Sequence, residues 1–376
     1  MKKTLLITLE YLPQIGGVAN HLAKFSEHMP SDKIVVLTKK NYETRSVINN
    51  FFPYKIYRDL PTTTSKLFLT RLLRHLLTIK QIVKIARHEN IKYMLAGQLL
   101  PIGTSVLLAS LLLRIPYGVI TYGIDLTLPR KQWRKKILAT LVLKKARFVI
   151  VSGLFTKQLA SAYNIENKIE IISPTPFVSK GKLNESKLMK IKSSLCNDGK
   201  KILLSVGRLI PRKGHKLVLK TIRDLPNIYY LIIGKGSEKK DLEKLILDYK
   251  IENRVKILDN VDYNELPYYY ELSDLFILTP LNIADDFEGF GLVYLEANSF
   301  GKPVIATAVG GVSDAVKNNI NGLLLEKTDC FLIKQALVKF INDEKFYQKL
   351  SSRAEQYVNN EFNWQKSANK LMALLK

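Results

Sequence analysis

Residues 285–311 read DDFEGFGLVYLEANSFGKPVIATAVGG, and the rest of the chain is organised around this stretch. Glu288 precedes a turn that contains Gly289 and Gly291. Glycine allows a tight turn and a close approach of the backbone to a ligand. The apolar residues 292–297 predict a helix whose free amide groups point at that turn. A helix N-terminus beside a glycine turn is a natural binding site for an anion.

The spacing of two carboxylates in this stretch argues against a hydrolytic pair. A helix running from Glu288 to Glu296 would separate them by about 12 Å along its axis. A hydrolytic pair of carboxylates needs a separation of about 5–9.5 Å. The spacing therefore indicates two contacts to one long anionic ligand. The alternative is an ordinary loop–helix–strand unit with two surface glutamates.

The bulk composition is that of a globular protein. The chain has 376 residues and a mass of 42.9 kDa, enough for two domains. Its 47% hydrophobic and 24% charged residues exclude a disordered chain. Cys196 and Cys330 offer neither a disulfide framework nor a metal-binding spacing, which favours a reducing compartment. The apolar run before Glu10 predicts a buried strand rather than a signal peptide or a membrane span.

The net charge of +25 is concentrated in the first half of the chain. Residues 1–175 contain 27 Lys and Arg against 9 Asp and Glu, whereas residues 176–376 contain 31 against 24. A field of this sign attracts a polyanion or an anionic membrane face. A compositional bias of the genome is the alternative explanation.

Two basic segments of the first half also carry apolar residues. Residues 66–92 show an apolar stripe at helical spacing, with Lys and Arg between its members. The stripe predicts either a helix packed on a sheet with a solvated basic face or an interfacial element on anionic lipid. The second segment, RKQWRKK at 130–136, contains Trp133, an aromatic type that prefers membrane interfaces. The stripe comprises Leu69, Leu72, Leu73, Leu76, Leu77, Ile79, Ile82, Val83 and Ile85.

A glycine pair near the N-terminus follows the first predicted strand. Residues 4–8 predict this strand, and Gly16 and Gly17 precede a helix predicted over 18–29. A strand, a glycine loop and a helix N-terminus together can receive a phosphate or a sugar hydroxyl. His21 on the predicted helix is interpreted as a surface or packing residue without a chemical role.

A second loop of the first half lies where open α/β sheets bind ligands. Residues 117–121 predict a strand, and Tyr122-Gly-Ile-Asp125 follows at its carboxyl end. A phenol and a carboxylate at this edge can both form hydrogen bonds with a ligand.

The second half opens with a strand and a cationic loop. Residues 202–206 predict the strand, and Gly207 permits a turn after it. Arg208 offers a planar fork for phosphate and Lys213 offers a compact ammonium. The loop lacks the Lys-Ser/Thr of a P-loop, so it predicts a different cationic pocket for a diphosphate.

Two further positions follow predicted strands of the second half. Gly234 comes directly after the strand predicted at 229–233, where a glycine lets the backbone come close to a ligand. Val261 follows the strand predicted at 255–258. Both lie at the carboxyl edge of the predicted sheet.

These motifs together resemble one enzyme family. Glu288 through Glu296 resembles the E-x7-E motif of the retaining nucleotide-sugar glycosyltransferases of family 4, also called glycosyl transferases group 1, which have the GT-B fold. Tyr122 stands where many members carry His. A phenol is a poor proton acceptor near neutral pH, so no base role is transferred to Tyr122. The other matching motifs are Gly16-Gly17-Val18, Tyr122-Gly-Ile-Asp125 for H-G-x-D, and Gly207-Arg208 with Lys213-Gly214 for G-R-x4-K-G.

The resemblance implies an α/β protein of the GT-B fold. In this fold two Rossmann-like domains face each other, and the active site lies in the interdomain cleft. The N-terminal, acceptor-side domain is expected at 1–178, a linker at 179–200 and the C-terminal, nucleotide-sugar-binding domain at 201–361. The terminal helix at 362–376 is expected to pack back on the first domain.

The resemblance also implies a mechanism with retention of anomeric configuration. No metal or other cofactor is expected, and a nucleotide sugar of the UDP or GDP type is the substrate. Arg208, Lys213 and Glu288 would be catalytic, the cations at the leaving diphosphate and the carboxylate at the donor sugar. Val261 would contact the base and Glu296 the ribose. The donor-binding set is Gly16, Gly17, Gly207, Arg208, Lys213, Gly234, Val261, Glu288, Phe290, Gly291, Leu292 and Glu296, and the acceptor or sugar-binding set is Tyr122 and Asp125.

The implied function is transfer of a hexose to a glycan or lipid-linked acceptor at the cytoplasmic membrane face, in envelope polysaccharide or glycolipid synthesis. The expected partners are the donor, the acceptor and an anionic membrane surface, with no nucleic acid. The expected location is the cytoplasm, with a peripheral position at the inner membrane face as the alternative. A soluble acceptor, a GT-B sugar-nucleotide epimerase and, from charge alone, a basic nucleic-acid-binding protein stay open. The nucleotide, sugar, linkage and oligomeric state are not indicated.

Overall fold

A computed structural model describes residues 1–14, 16–39, 52–61, 68–195, 199–284 and 286–376. The chain forms two compact units. The first contains Met1–Thr175 together with Trp364–Lys376, and the second contains Pro176–Asn363. Each unit has its own parallel sheet.

The first unit contains a seven-stranded parallel sheet in the order β3-β2-β1-β4-β5-β6-β7. Its central strands are apolar and buried on both faces, as expected for a parallel sheet covered by helices. The strands are β1 Thr4–Ile7, β2 Ile34–Lys39, β3 Lys55–Leu60, β4 Tyr93–Ala96, β5 Tyr117–Ile120, β6 Val149–Val151 and β7 Ile169–Ile171. The helices are α1 Gly17–Glu27, α2 Phe68–His88, α3 Ile102–Leu113, α4 Ile124–Thr127, α5 Trp133–Lys145 and α6 Leu154–Ser161.

The second unit contains a six-stranded parallel sheet in the order β10-β9-β8-β11-β12-β13. The strands are β8 Lys201–Val206, β9 Ile228–Ile233, β10 Val255–Leu258, β11 Leu275–Leu278, β12 Val304–Thr307 and β13 Gly322–Leu325. The helices are α7 Glu185–Leu195, α8 His215–Ile222, α9 Lys239–Asp248, α10 Leu266–Leu272, α11 Leu292–Ser299, α12 Val312–Ala315, α13 Cys330–Asn342 and α14 Glu344–Glu361. The last helix of the chain, α15 Trp364–Leu374, belongs to the first unit.

Both sheets reverse their strand order near the middle. β1 pairs with β2 on one side and with β4 on the other, and β8 pairs with β9 and β11 in the same way. Right-handed crossovers then place helices on both faces of each sheet. The carboxyl ends of the strands flanking such a reversal are where ligands bind in open α/β sheets.

The predicted α/β architecture of two Rossmann-like domains is confirmed. The division between the units falls after Thr175. Helix α7 lies inside the segment 179–200, for which the sequence predicts a linker. Strand β3 was not predicted, because its sequence KIYRDL mixes charged and apolar residues, as an edge strand with one partner can.

Helix α2 departs from the pattern predicted for it. Ile82 and Ile85 are buried under the helix, but four leucines of the predicted stripe are exposed. The side chain of Leu69 lies outside the described residues. Among the helices of the described ranges, none combines the length and the apolar composition needed to cross a bilayer.

Candidate functional site

The candidate site is built from two loops at the reversal of the second sheet. One loop follows β8 and contains residues 207–214, and the other follows β11 and leads to α11. The two loops are joined by a backbone hydrogen bond, in which the Leu281 N–H donates to the Arg212 carbonyl oxygen at 2.8 Å. Their position matches the place where open α/β sheets bind ligands.

A nearly buried cluster of charges connects these loops. Arg212 Nη1 and Lys213 Nζ both donate to Glu288 Oε2, each at 2.6 Å. Arg212 Nε also lies 2.8 Å from Asp286 Oδ1. The side chains of Arg212, Lys213 and Glu288 are only 5%, 9% and 12% exposed. Two cations therefore hold one carboxylate in a fixed place.

The charge of Glu288 is stabilised by this arrangement. Burial opposes ionisation, but the positive charges of Lys213 and Arg212 outweigh it and lower the pKa of Glu288 below its usual value. Glu288 is therefore ionised at neutral pH and can only accept hydrogen bonds. An acceptor of this kind suits a sugar hydroxyl.

Glycine is required where the surrounding loops touch the Glu288 loop. The Gly311 N–H donates to the Glu288 carbonyl oxygen at 2.7 Å. A Cβ at Gly310 would overlap this same oxygen, and a Cβ at Gly311 would overlap the carbonyl oxygen of Gly289. Gly310 and Gly311 thus allow the close backbone contacts that support the loop carrying Glu288.

The turn before α11 leads into the helix that the sequence predicts there. Gly291 is the N-cap residue with φ 89°, a conformation that favours glycine, and no side chain caps the helix. Leu292 begins the helix and Phe290 is buried before it. The first amide groups of α11 receive no side-chain cap and face the turn.

Glu296 lies on α11 and is enclosed by protein. Its Oε2 accepts a hydrogen bond from Tyr270 Oη at 2.9 Å, and the backbone amides of Phe177 and Val178 also reach the carboxylate. Burial raises the pKa of Glu296 to about 7. The structure therefore gives this carboxylate protein partners, and the contact to a ribose expected from the resemblance stays a prediction.

The remaining predicted donor-binding positions of this unit lie at the same sheet edge. A Cβ at Gly234 would overlap the Gly207 carbonyl oxygen, so the ends of β8 and β9 require glycine here. Arg208 is exposed and forms no ion pair with any residue in the described ranges. Val261 is partly buried against the core of the unit.

Two loops of the first unit carry its predicted site residues. Gly16 and Gly17 begin α1, and a Cβ at either would meet no atom within 4 Å. Asp125 Oδ1 accepts hydrogen bonds from the amides of Tyr122 at 2.9 Å and Gly123 at 3.0 Å. Burial raises the pKa of Asp125 to about 6. One carboxylate oxygen of Asp125 thus shapes its own loop.

Tyr122 and His21 form a pair in this unit. Tyr122 Oη lies 3.1 Å from His21 Nδ1. His21 is a buried packing residue, so the surface alternative was wrong, and burial lowers its pKa to about 3. Burial also raises the pKa of Tyr122 well above its usual value. Burial therefore disfavours the charged form of both side chains.

Arg212 is the residue that sequence reasoning missed. It lies in a short turn, Pro211–Lys213, which brings Arg212 and Lys213 to the same carboxylate. The only available signal was a second basic residue beside Lys213 in the cationic loop. Across the described ranges, no group of His, Cys, Asp and Glu side chains is placed to hold a metal ion.

Comparisons with known proteins identify the class of enzyme that this chain resembles. Residues 186–357 match the model of the family described as glycosyl transferases group 1. A mannosyltransferase of Corynebacterium glutamicum is 22% identical, with 100% of this chain and 98% of the relative covered. Its name describes it as GDP-mannose-dependent and acting on a monoacylated phosphatidylinositol monomannoside.

Solved structures share the fold over the whole chain. Anabaena HepE in complex with UDP and glucose has a TM-score of 0.81 at 20% identity, covering 100% of this chain and 99% of HepE. Sucrose-phosphate synthase from Thermosynechococcus elongatus has a TM-score of 0.79 at 19% identity, covering 100% and 98%. The predicted GT-B fold and the resemblance to group 1 glycosyltransferases are therefore confirmed.

Proposed function

Since residues 186–357 match the group 1 glycosyltransferase family and hold the charge cluster at Glu288, we propose that this chain is a retaining glycosyltransferase. It moves a hexose from a nucleotide-sugar donor to a glycan or lipid-linked acceptor. The observation that carries the proposal is the convergence of Arg212 and Lys213 on Glu288, next to an uncapped helix N-terminus.

The cationic loop would stabilise the leaving nucleoside diphosphate. An ammonium has three N–H donors, so Lys213 can hold Glu288 with one and a phosphate oxygen with another. Arg208 is exposed and can add a planar pair of donors. The amides of Phe290, Gly291 and Leu292 would add dipoles at the positive end of α11. Charges and dipoles already in place lower the barrier because they need no reorganisation during reaction.

Glu288 would bind hydroxyl groups of the donor sugar. Its ionised carboxylate is fixed by two cations, and such a group can accept hydrogen bonds without moving. Precise placement of the sugar at the reacting centre is worth several kcal/mol. Glu296 would hold the ribose, with Val261 near the base and the glycines at 16, 17, 207 and 234 allowing close approach of the backbone.

We also propose that the reaction needs no metal ion. In this scheme the cations Arg208 and Lys213 take the place of a divalent ion beside the diphosphate. Nucleoside diphosphates of the UDP or GDP type fit the proposal, since UDP is bound in the HepE structure and GDP-mannose is named for the Corynebacterium relative.

The proposed acceptor is a glycan or a lipid-linked glycan at the cytoplasmic membrane face, in envelope polysaccharide or glycolipid synthesis. The basic first unit supports this choice, as does the lipid acceptor in the name of the Corynebacterium relative. Tyr122 and Asp125 would contact the acceptor or the sugar. The enzyme would work in the cytoplasm or peripherally on the membrane.

A donor panel tests the proposal. The purified chain is incubated with UDP, GDP and ADP sugars, and release of nucleoside diphosphate is measured with and without glycan or lipid-linked acceptors. We expect turnover with one nucleotide class, and NMR of the product should show the anomeric configuration of the donor. Absence of turnover and of diphosphate binding with every donor contradicts the assignment, and an inverted product contradicts retention alone.

A further inference from the structure

Three neighbouring helices of the first unit, α2, α3 and α5, leave apolar side chains exposed on their outer sides. Helix α3 packs against both α2 and α5. The inner sides of all three helices contribute to one core, with Ile82, Val106 and Val142 fully buried. The three helices therefore form one layer on one face of the sheet.

The exposed leucines of α2 lie on one side of the helix. Leu72, Leu73, Leu76 and Leu77 are between 42% and 56% exposed. Residues separated by four positions are neighbours on a helix surface, so these leucines form one continuous patch. In the second half of α2, Ile82, Ile85 and Ala86 are buried and Ile79 and Val83 are half-buried, so the exposed leucines lie only in the first half.

The other two helices extend this patch. On α3, Leu108, Leu111 and Leu112 are between 42% and 69% exposed. On α5, Trp133, Ile137 and Leu141 recur every four residues and are between 45% and 68% exposed. We call the ten side chains on these three helices the outer apolar face.

The surroundings of this face are strongly basic. Helices α2, α3 and α5 contain no Asp or Glu. Exposed Lys80 and Lys84 follow the leucines on α2, and Arg134, Lys135 and Lys136 flank Trp133 on α5. The outer apolar face thus combines exposed apolar side chains with surrounding charges that are all positive.

Charge complementarity decides what covers the face. A second copy of the chain would bring the same positive charge and repel. A soluble polyanion would pair with Lys and Arg but leave the leucines in water. An anionic bilayer accepts both, since its headgroups attract the cations and its acyl boundary takes up Leu and Trp.

We propose that the outer apolar face of α2, α3 and α5 docks the protein on an anionic lipid bilayer, with Trp133 and the leucines inserted at the level of the headgroups. This deepens the proposed function by naming the surface from which a lipid-linked acceptor is reached. Only the link to a lipid-linked acceptor rests on the proposed function. Binding to the bilayer can be measured without a sugar donor.

The test is vesicle flotation of the full chain. One set of vesicles contains equal parts of phosphatidylcholine and phosphatidylglycerol, and the other contains phosphatidylcholine alone. We expect flotation with the first set and little with the second, weakening as salt is added because the attraction is screened. Equal and negligible flotation with both sets would overturn the proposal.

A matched pair of triple variants assigns the surface. Leu73→Gln, Leu112→Gln and Trp133→Gln change one exposed residue on each helix. Met189→Gln, Leu247→Gln and Phe331→Gln change three similarly exposed residues of the second unit. We expect the first variant to bind anionic vesicles at least about tenfold more weakly and the second to bind normally. Equal binding by the two variants would overturn the assignment to this face.

Three further measurements complete the test. Thermal unfolding of both triple variants should match that of the parent chain, because every substituted side chain is exposed. Sedimentation compares the oligomeric states of the parent and the variants. If the parent is a dimer and the first variant is a monomer, the outer apolar face is a dimer interface and the bilayer proposal is overturned. Binding of UDP and GDP by calorimetry is followed in parallel. If the parent chain binds anionic vesicles but neither UDP nor GDP, the proposed function is rejected and the membrane-docking proposal is retained.

Discussion

Lys213 and Glu288 form a nearly buried ion pair, with Nζ and Oε2 separated by 2.6 Å. The two residues are 75 positions apart in the sequence and come from loops after different strands. The cation expected at the diphosphate and the carboxylate expected at the sugar are thus joined in one charge cluster, to which Arg212 also belongs. Substitution of one member should therefore change the position and charge of the others.

Loss of either catalytic cation should strongly reduce turnover. Arg208→Ala and Lys213→Ala should each lower kcat by about a hundredfold, because each removes charge that stabilises the leaving diphosphate. Steady-state turnover with the accepted donor is the measurement. Lys220→Ala, an exposed lysine of α8, is the matched control and should be unaffected. Near-normal transfer by both variants would reject the assigned roles.

Arg212 should matter for stability and for activity. Arg212→Leu takes this partner from Asp286 and Glu288 and should cost about 1–3 kcal/mol, because Glu288 keeps Lys213 as its second partner. Arg212→Lys keeps the charge but cannot span both carboxylates with a planar fork, so it should recover part of the stability and little of kcat. Urea unfolding and kinetics of both variants give the two quantities.

The exposed pair formed by Arg223 and Asp224 supplies the control for this experiment. Arg223→Leu should change neither the unfolding midpoint nor kcat. If Arg212→Leu behaved like Arg223→Leu, the charge cluster would have no structural role.

The two glycine pairs should respond differently to alanine. Gly311→Ala forces a Cβ into the Gly289 carbonyl oxygen and should reduce both stability and turnover. Gly17→Ala meets no atom within 4 Å and should leave stability unchanged or raised by about 0.5–1 kcal/mol, since alanine favours a helix. Unfolding curves separate the two cases. Lost turnover in a stable Gly17→Ala would support a close approach of the donor at that loop.

The raised pKa of Glu296 predicts a pH-dependent stability term. Folding raises the pKa of this carboxyl from 4.5 to about 7, so between these values the folded state binds more protons than the unfolded state. Stability from this group is therefore lost as pH rises through that window, by roughly 3 kcal/mol at most. Glu296→Gln removes the titration, so its stability relative to the parent should rise between pH 5 and pH 8.

Urea unfolding at the two pH values measures this difference. His21 and His215 titrate in the opposite direction, because burial lowers their pKa values, but they are present in both proteins and cancel. A constant difference between parent and variant would mean that Glu296 does not carry the raised pKa.

Removal of metal ions should leave the reaction intact. If Arg208 and Lys213 supply the charge at the diphosphate, EDTA treatment followed by assay in metal-free buffer should keep the full rate. Added magnesium or manganese should not increase it. A large loss that manganese restores would contradict the metal-free mechanism.

The sequence by itself determined the fold class and most of the regular elements. Apolar runs of four to six residues marked the buried parallel strands such as β9 and β11, because both faces of these strands are covered. Glycines at 291 and 310 marked turns, since their positive φ values disfavour other residues. Local chemistry of this kind can be read without knowing which segments meet.

Tertiary structure alone decided the contacts between distant residues. It brought Arg212 to Glu288 across 76 positions, enclosed Glu296 beside Tyr270 and buried His21 against Tyr122. It also left the leucines of α2 exposed although their spacing was that of a packed helix. Periodicity shows which side of a helix is apolar, but only the packing of the neighbouring elements determines whether that side is covered.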